Sequence, residues 1–104
     1  MKTPTDCDSL SDVRHAIDHV DEQIIALLGL RADYVRAAAR YKASESAVAD
    51  PERLATMLET RRRWSEREKL DPDFIERLYR DMVAYFIDHE MRHVARKHDS
   101  PVFR

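Results

Sequence analysis

The sequence predicts an all-α protein of three helices with a very long first helix, and two observations lead to this fold class. The 104 residues include one glycine and four prolines, too few for the many turns of a β protein, and almost every segment favours helix. Charged residues make up 37% and hydrophobic residues 43% of the chain, a composition typical of a folded domain in water. At this length we expect one domain over residues 1–104, with the last several residues disordered.

The net charge and the single cysteine limit the kinds of partner and the compartment. A net charge of -2, with both signs mixed along the chain, argues against a nucleic-acid partner. Cys7 cannot form an internal disulfide, which suits a reducing compartment. The first ten residues lack the apolar core of a signal peptide, and no apolar run is long enough to span a membrane. We therefore expect a cytoplasmic protein with no membrane contact.

The first helix is predicted to begin near Ser9, which can act as its N-cap with Asp12 three residues later. From there apolar residues recur at helical spacing as far as about Lys42, and only Gly29 interrupts the pattern. These apolar residues are Leu10, Val13, Ile17, Val20, Ile24, Leu27, Tyr34, Ala38 and Tyr41. Roughly 34 residues rising about 1.5 Å each give a rod of about 50 Å, whereas a compact domain of this size has a radius of gyration of about 13 Å. A second copy of the chain is the simplest way to cover such a rod, so we predict an intertwined homodimer.

Two Asp-Pro pairs mark the starts of the other two helices. Asp50–Pro51 and Asp71–Pro72 each offer an aspartate as N-cap and a proline at the first helical position. The apolar residues of helix two are Leu54, Met57, Leu58 and Trp64. Those of helix three are Ile75, Leu78, Met82, Val83, Phe86, Ile87 and Val94. The charge run "RRRWSEREK" at residues 61–69 is interpreted as a solvated helix face.

Two charged residues stand where the helical spacing requires apolar ones. Arg31 lies seven residues after Ile24 on the first helix, and Glu90 lies three residues after Ile87 on the third. A charge on a core-facing stripe is costly unless it is paired or functional. One interpretation is therefore a buried ion pair between Arg31 and Glu90, or side chains that reach water at the ends of the core.

The other interpretation is a pocket for a small molecule that carries two carboxylates. Arg31, Val35, Ala38 and Lys42 fall along one line of the first helix, so two cations face the same space with small apolar residues between them. Arginine suits carboxylates because its planar fork can bind both oxygens. The pocket would contain four cations and one carboxylate, that of Glu90. This is more positive charge than a structural ion pair needs, so it favours an anionic ligand. The predicted cations of this pocket are Arg14, Arg31, Lys42 and Arg53.

The segment "DHEMRH" contains the His-Glu-x-x-His spacing by which zinc proteases hold their metal. In this chain the two histidines would be His89 and His93. Such a protease also needs a third ligand and a strand beside the motif helix, and the chain offers no convincing strand. A second pair at His15 and His19 shows how readily a helical chain produces this spacing. We therefore interpret His89 and His93 as residues on the flank of a helix and predict no metal site.

Several longer segments carry a family resemblance that covers nearly the whole chain. They are the start "MKTPTDC", the segment "DYVRAAARYKASESAVADPER" at residues 33–53 and "YFIDHE" at residues 85–90. With Arg14, Arg31 and Lys42 on a long first helix, the chain resembles the all-helical chorismate mutase family. Within that family it is most similar to the isochorismate-pyruvate lyases of salicylate and siderophore biosynthesis.

The resemblance implies an intertwined dimer with two equivalent active sites and no cofactor. Each site would take Arg14 from one subunit, and Arg31, Lys42, Arg53 and the residue at position 90 from the other. Arg14 and Arg31 would hold the two substrate carboxylates. Lys42 would lie close to the ether oxygen, on a loop that closes over the pocket. The apolar wall would consist of Val35, Ala38, Met57 and Ile87.

Two reactions fit this resemblance. In the lyases, isochorismate loses its enolpyruvyl side chain as pyruvate while a ring hydrogen transfers to it, which leaves salicylate; in the mutases, chorismate rearranges to prephenate. Both are pericyclic and need positioning and charge stabilisation rather than a nucleophile, a metal or a redox cofactor. Leu54 follows Arg53 where mutases of the family usually carry a glutamate, so we favour the lyase, with mutase activity as a side reaction. A mutase and a non-catalytic helical dimerisation module are the alternatives.

Glu90 departs from the family pattern. Most members have glutamine there, whose amide can donate a hydrogen bond to the ether oxygen. An ionised glutamate cannot donate, and it would repel a dicarboxylate. Burial would favour the protonated carboxyl group, whereas Arg31 and Lys42 would favour the ionised one. Our hypothesis is that Glu90 must be protonated for full activity.

Overall fold

The computed structural model describes residues 2–41 and 51–99, with the backbone alone described at Ile87 and at 89–99. A short 3-10 helix, Pro4–Asp6, precedes three α-helices: α1 (Leu10–Ala39), α2 (Pro51–Arg67) and α3 (Pro72–Asp99). The prediction of an all-α fold with three helices and a very long first one is confirmed, and the described ranges contain no strand. None of these helices combines the length and apolar character needed to cross a bilayer.

Some predictions concern positions outside the described residues. They are the role of Lys42, the loop that follows it, the N-cap at Asp50 and the disorder of the last several residues. The described chain forms two compact units, residues 1–34 and residues 35–104. The organisation of the whole chain as one domain stays a prediction.

The start of α1 is held by the predicted cap. The Asp12 backbone N–H donates to the Ser9 hydroxyl oxygen at 3.1 Å, which satisfies one of the free donors of the first turn. The Asp12 carboxylate in turn accepts hydrogen bonds from the Asp8 backbone N–H at 3.0 Å and from Lys2 Nζ at 2.9 Å. The bond from Asp8 and, after it, the bond from Lys2 hold the pKa of Asp12 below its ordinary value. Ser9 and Asp12 therefore anchor the N-terminal segment to the helix.

The end of α1 comes earlier than the apolar spacing predicts. The helix was expected to continue to about Lys42, but its last α-helical residue is Ala39. The backbone N–H groups of Arg40 and Tyr41 donate to the carbonyls of Ala37 and Ala38, three residues back, at 3.3 and 3.0 Å. Such tight bonds replace the four-residue pattern where a helix ends. The expected extension was wrong because apolar spacing reports a face and not a terminus.

The apolar stripe of α1 is largely exposed in the single chain. Its 30 residues span about 45 Å, and its large apolar side chains between residues 10 and 34 leave 36% to 69% of their surface open to water. They are Leu10, Val13, Ile17, Val20, Ile24, Ile25, Leu27, Leu28, Leu30 and Tyr34. A groove of about 540 Å³ on this part of the chain is lined by Lys2, Pro4, Cys7, Val13, Ala16, Ile17, Val20 and Asp21. Exposed apolar surface of this extent is typical of proteins that bind a partner there.

Helices α2 and α3 pack together as a hairpin within the second unit. Met57 and Leu58, both predicted as apolar core positions, are each 4% exposed, and Ala39 is also buried. Trp64, predicted on the same apolar face, is 43% exposed, because the guanidinium of Arg61, 4.6 Å from the ring centre, covers only part of the ring. Among the described side chains, the buried apolar core is therefore small.

The turn between α2 and α3 contains one motif that ends α2 and another that begins α3. Lys69 has a φ of 60°, and the N–H groups of Lys69 and Leu70 donate to the carbonyls of Glu66 and Ser65 at 3.1 and 2.9 Å. This pair of bonds is the Schellman motif, in which glycine usually occupies the left-handed position. The next helix begins as predicted, since the Asp71 carboxylate accepts a hydrogen bond from the Asp73 N–H at 2.9 Å and Pro72 follows the cap.

The charge run at residues 61–69 is not a uniformly solvated face, so that part of the sequence interpretation is wrong. Arg62 Nη1 lies 2.9 Å from carboxylate oxygens of both Asp73 and Glu76 on α3, and Glu76 also accepts a bond from Arg80 at 2.9 Å. The bonds to Asp73 and Glu76 raise the pKa of Arg62. Those from Arg80 and then Arg62 lower the pKa of Glu76. Spacing along one helix could not predict these contacts, because they join two helices.

Candidate active site

Helix α1 brings three of the predicted site residues onto one face. Arg31, Val35 and Ala38 follow one another at four- and three-residue spacing on an unbroken helix, so their side chains project in nearly the same direction. All three are half-buried. The guanidinium of Arg31 can bind a carboxylate, and small apolar groups such as Val35 and Ala38 can contact a carbon skeleton.

Arg14 lies on the same helix but far from Arg31. The two residues are separated by 17 positions on α1, which corresponds to about 26 Å along the axis. Arg14 is exposed. Because α1 is continuous between them, these two arginines of one chain cannot hold one small molecule. The structure therefore separates two residues that the predicted site requires together.

Helix α2 carries Arg53 in its first turn and Met57 one turn later. Arg53 is exposed, whereas Met57 is 4% exposed. The helix starts at Pro51, so the guanidinium stands near its N-terminus, whose backbone N–H groups also favour an anion. An anionic group could bind there, whereas Met57 has almost no surface open to a ligand in the single chain.

Helix α3 carries the remaining predicted residues. Ile87 and Glu90 are three positions apart in the backbone of α3, about one turn, but their side chains lie outside the described residues, as do those of His89 and His93. Among the described side chains, no group of three histidine, cysteine, aspartate or glutamate residues could hold a metal ion. The assignments of Ile87 and Glu90 stay predictions.

One residue that the sequence interpretation missed is Arg61. Its guanidinium carbon lies 4.6 Å from the centre of the Trp64 ring and 5.6 Å from the centre of the Tyr79 ring. Arg61 is half-buried, four residues after Met57 and four before Ser65, which are 4% and 3% exposed. Arg61 lies four residues after Met57, a spacing that predicts the inward face of α2. The sequence interpretation did not single it out because Arg61 belongs to the charge run at residues 61–69, which was interpreted as solvated.

The chain was compared with known proteins. Residues 13–91 match the chorismate mutase type II family, a range that includes every predicted site residue. The isochorismate pyruvate lyase of Pseudomonas aeruginosa is 47% identical over 93 residues, covering 89% of this chain and 92% of that protein. The resemblance inferred from the sequence is therefore confirmed. This chain belongs to the chorismate mutase type II family.

Proposed function

We propose that this protein is an isochorismate-pyruvate lyase, which converts isochorismate into salicylate and pyruvate. The observation that carries the proposal is the 47% identity, along 89% of the chain, with a protein named for this activity. The half-buried Arg31 beside Val35 and Ala38 supports it, since a carboxylate-binding group next to apolar surface suits a carboxylated carbon ring.

The proposed reaction needs no covalent intermediate with the protein. The carbon–oxygen bond between the ring and the enolpyruvyl group breaks while a ring hydrogen moves to the methylene carbon of that group. The ring becomes aromatic as salicylate, and the side chain leaves as pyruvate, so atoms and electrons balance within the substrate. The enzyme must hold the side chain over the ring and stabilise negative charge on the departing oxygen.

We assign the roles in this reaction to the predicted cations. Arg14 and Arg31 hold the two carboxylates, Lys42 stabilises the ether oxygen, and Arg53 binds a further polar group of the substrate near the start of α2. Glu90 also reaches the ether oxygen, as a hydrogen-bond donor when it is protonated. The apolar wall against the ring consists of Val35, Ala38, Met57 and Ile87.

The proposed enzyme is an intertwined homodimer in which each site combines Arg14 of one subunit with Arg31 of the other. Two observations support this assembly. The apolar stripe of α1 is open to water in the single chain, and burial of such a surface drives association. The separation of Arg14 and Arg31, about 26 Å along α1, also requires a second subunit if both are to contact one substrate. A cytoplasmic location completes the proposal, because Cys7 has no second cysteine for an internal disulfide.

The second candidate function is chorismate mutase, which the family match itself favours. The same cations would bind chorismate, whose two carboxylates and ether oxygen resemble those of isochorismate. Leu54 argues for the lyase as the main activity, since mutases of the family usually carry a glutamate after the arginine corresponding to Arg53. A non-catalytic dimerisation module would have no need of the full set of cations.

Separate incubations with isochorismate and with chorismate test these functions. Salicylate fluorescence reports the lyase and prephenate formation reports the mutase. We expect both activities with the lyase faster, and we expect Arg31→Ala to lower each by about a hundredfold or more, because a charged group of the substrate loses its partner. Absence of turnover with both substrates would contradict both enzymatic functions and favour the dimerisation module.

A further inference from the structure

Arg61 connects α2 to α3 through aromatic rings rather than through surface charge alone. Its guanidinium lies against Trp64 of its own helix and against Tyr79 of α3, at 4.6 and 5.6 Å from the two ring centres. Arginine suits this position because its flat guanidinium stacks on aromatic faces and sheds water more readily than an ammonium group. The contact is therefore specific to the shape of the side chain as well as to its charge.

The position of Arg61 on its helix is unusual for a charged residue. It lies between Met57 and Ser65, both of which are buried, on one face of α2. Arg63, two residues further along the helix, is exposed and pairs with Glu59 of α2 at 2.9 Å. A charge on an inward face costs free energy that an apolar side chain would not. An apolar residue of similar size could fill the same space without that cost.

We propose that Arg61 is a positioning residue of the active site. Its contact with Tyr79 of α3 fixes the rotation of α2 about its axis and thereby places Arg53 against the substrate, while Trp64 on the same helix holds the guanidinium in place. This inference rests on the proposed function, because Arg53 is a substrate-binding group only under that function. Arg61 itself does not touch the substrate in this proposal. It lies two turns from Arg53 on the same helix, so any rotation of α2 at Arg61 is transmitted directly to Arg53.

A small rotation of α2 is enough to matter. A group about 6 Å from the helix axis moves by about 1 Å when the helix turns by roughly 10°. A displacement of about 1 Å in a substrate-positioning group can reduce a rate by about a hundredfold. The ion pairs of Arg62 with Asp73 and Glu76 also join α2 to α3, and the contact between Arg61 and Tyr79 adds a second link between the two helices.

Four variants test this role in the full-length protein: Arg61→Gln, Tyr79→Leu, Tyr79→Phe and the control Arg63→Gln. The assay measures kcat and KM for isochorismate per mole of folded protein, with the folded fraction taken from circular dichroism. Arg61→Gln removes the charge and the stack, and Tyr79→Leu removes the ring on α3 while leaving Arg61 in place. Each should lower kcat/KM by about tenfold to a hundredfold. Tyr79→Phe keeps the ring and should recover the activity lost in Tyr79→Leu.

Arg63→Gln is the matched control, because it makes the same substitution two residues away on an exposed part of α2. It should stay within about twofold of the unmodified protein, since an exposed pair within one helix contributes little. A role limited to stability would lower the melting temperature of Arg61→Gln and leave kcat/KM of the folded protein unchanged, and that result would overturn the proposal.

A double-mutant cycle tests whether Arg61 acts through Arg53. If it does, Arg61→Gln should change kcat/KM by less than about threefold in an Arg53→Ala background, because the group that it positions is already absent. Full additivity of the two substitutions would overturn the proposal. Activity of the unmodified protein in the same assay separates the two questions. An active protein with unaffected variants overturns this inference alone, whereas an inactive protein contradicts the proposed function and the inference together.

Discussion

At the scale of single residues, Glu90 is the one proposed site group whose usual charge does not suit the proposed substrate. The other proposed site groups are cations or apolar side chains, and each suits a dicarboxylate with a carbon ring. A carboxylate at position 90 suits such a substrate only when it carries a proton, because only then can it donate a hydrogen bond and avoid repulsion. Replacement of Glu90 by glutamine isolates this requirement. The glutamine side chain has nearly the same shape as that of glutamate, and its amide can donate a hydrogen bond at any pH.

We expect Glu90→Gln to flatten the pH dependence of the lyase reaction. Above the pH at which Glu90 loses its proton, kcat/KM of the unmodified protein should fall by about tenfold per pH unit, as for any essential acid. Glu90→Gln should keep its activity through neutral and higher pH. The measurement is kcat/KM for isochorismate across the pH range, from salicylate fluorescence. Coincident pH profiles for the two proteins would contradict the hypothesis that Glu90 acts protonated.

At the scale of elements, the turn between α2 and α3 has a residue type that does not suit its backbone. Lys69 occupies the left-handed position of the Schellman motif, where a side chain is disfavoured and glycine is not. We expect Lys69→Gly to raise the free energy of unfolding by about 0.5–1 kcal/mol, the strain removed less the greater freedom of glycine in the unfolded chain. Denaturant unfolding at a fixed protein concentration measures the change.

Lys69→Ala is the control for that prediction. It removes the same charge but keeps a β-carbon, so the strain at positive φ remains. Equal stabilisation by alanine and glycine would show that the loss of the lysine charge, and not the backbone conformation, is responsible.

The ion pairs of Glu76 with Arg80 of α3 and Arg62 of α2 make the hairpin sensitive to acid. Bonds from Arg80 and Arg62 hold the pKa of Glu76 below its ordinary value of 4.5, so the unfolded chain takes up the proton at higher pH than the folded one. The contribution of Glu76 to stability is therefore complete above about pH 4.5 and is lost as the pH falls through the lower pKa of the folded state.

We expect Glu76→Gln to reduce this loss of stability in acid. The melting temperature of the unmodified protein should fall more steeply than that of Glu76→Gln between neutral pH and about pH 3. Arg80→Gln should reduce the slope as well, because Arg80 is the first cause of the shift. Thermal unfolding followed by circular dichroism gives both slopes. Parallel curves for all three proteins would contradict the assignment.

At the scale of the whole molecule, the proposed site combines residues of two subunits. We therefore expect two inactive variants to regain activity when their subunits are mixed. Arg14→Ala and Arg31→Ala should each be nearly inactive as homodimers. When the two are unfolded and refolded together, half of the dimers should be mixed, with one site lacking both arginines and one site intact. We expect about a quarter of the activity of the unmodified protein, measured as salicylate formation per subunit.

A second mixture is the control for subunit sharing. Arg31 and Arg53 are proposed to come from the same subunit, so mixed dimers of Arg31→Ala and Arg53→Ala have one substitution in every site and should recover no activity. Recovery in both mixtures, or in neither, would contradict the proposed division of the site between subunits.

The sequence by itself determined the features that depend on neighbouring residues. The caps at Ser9 and Asp71 and the starts of the helices follow from local hydrogen bonding, and the apolar spacing of α1 follows from helix geometry. Whereas the roles of the candidate cations stay predictions, the family could also be predicted, because it follows from residue type and order. Leu58 was correctly predicted as core for the same reason.

Only the tertiary structure decided the features in which one helix meets another. Arg61 and Tyr79 are 18 positions apart, and Arg62 reaches both Asp73 and Glu76, so the pattern along α2 alone could not show which residues of α3 these arginines contact. Likewise, the distance along α1 shows that Arg14 and Arg31 of one chain cannot hold the same small molecule only because the helix between them is unbroken. The physical reason is that spacing along a chain specifies which side of a helix a residue occupies, whereas packing between helices specifies what that side contacts.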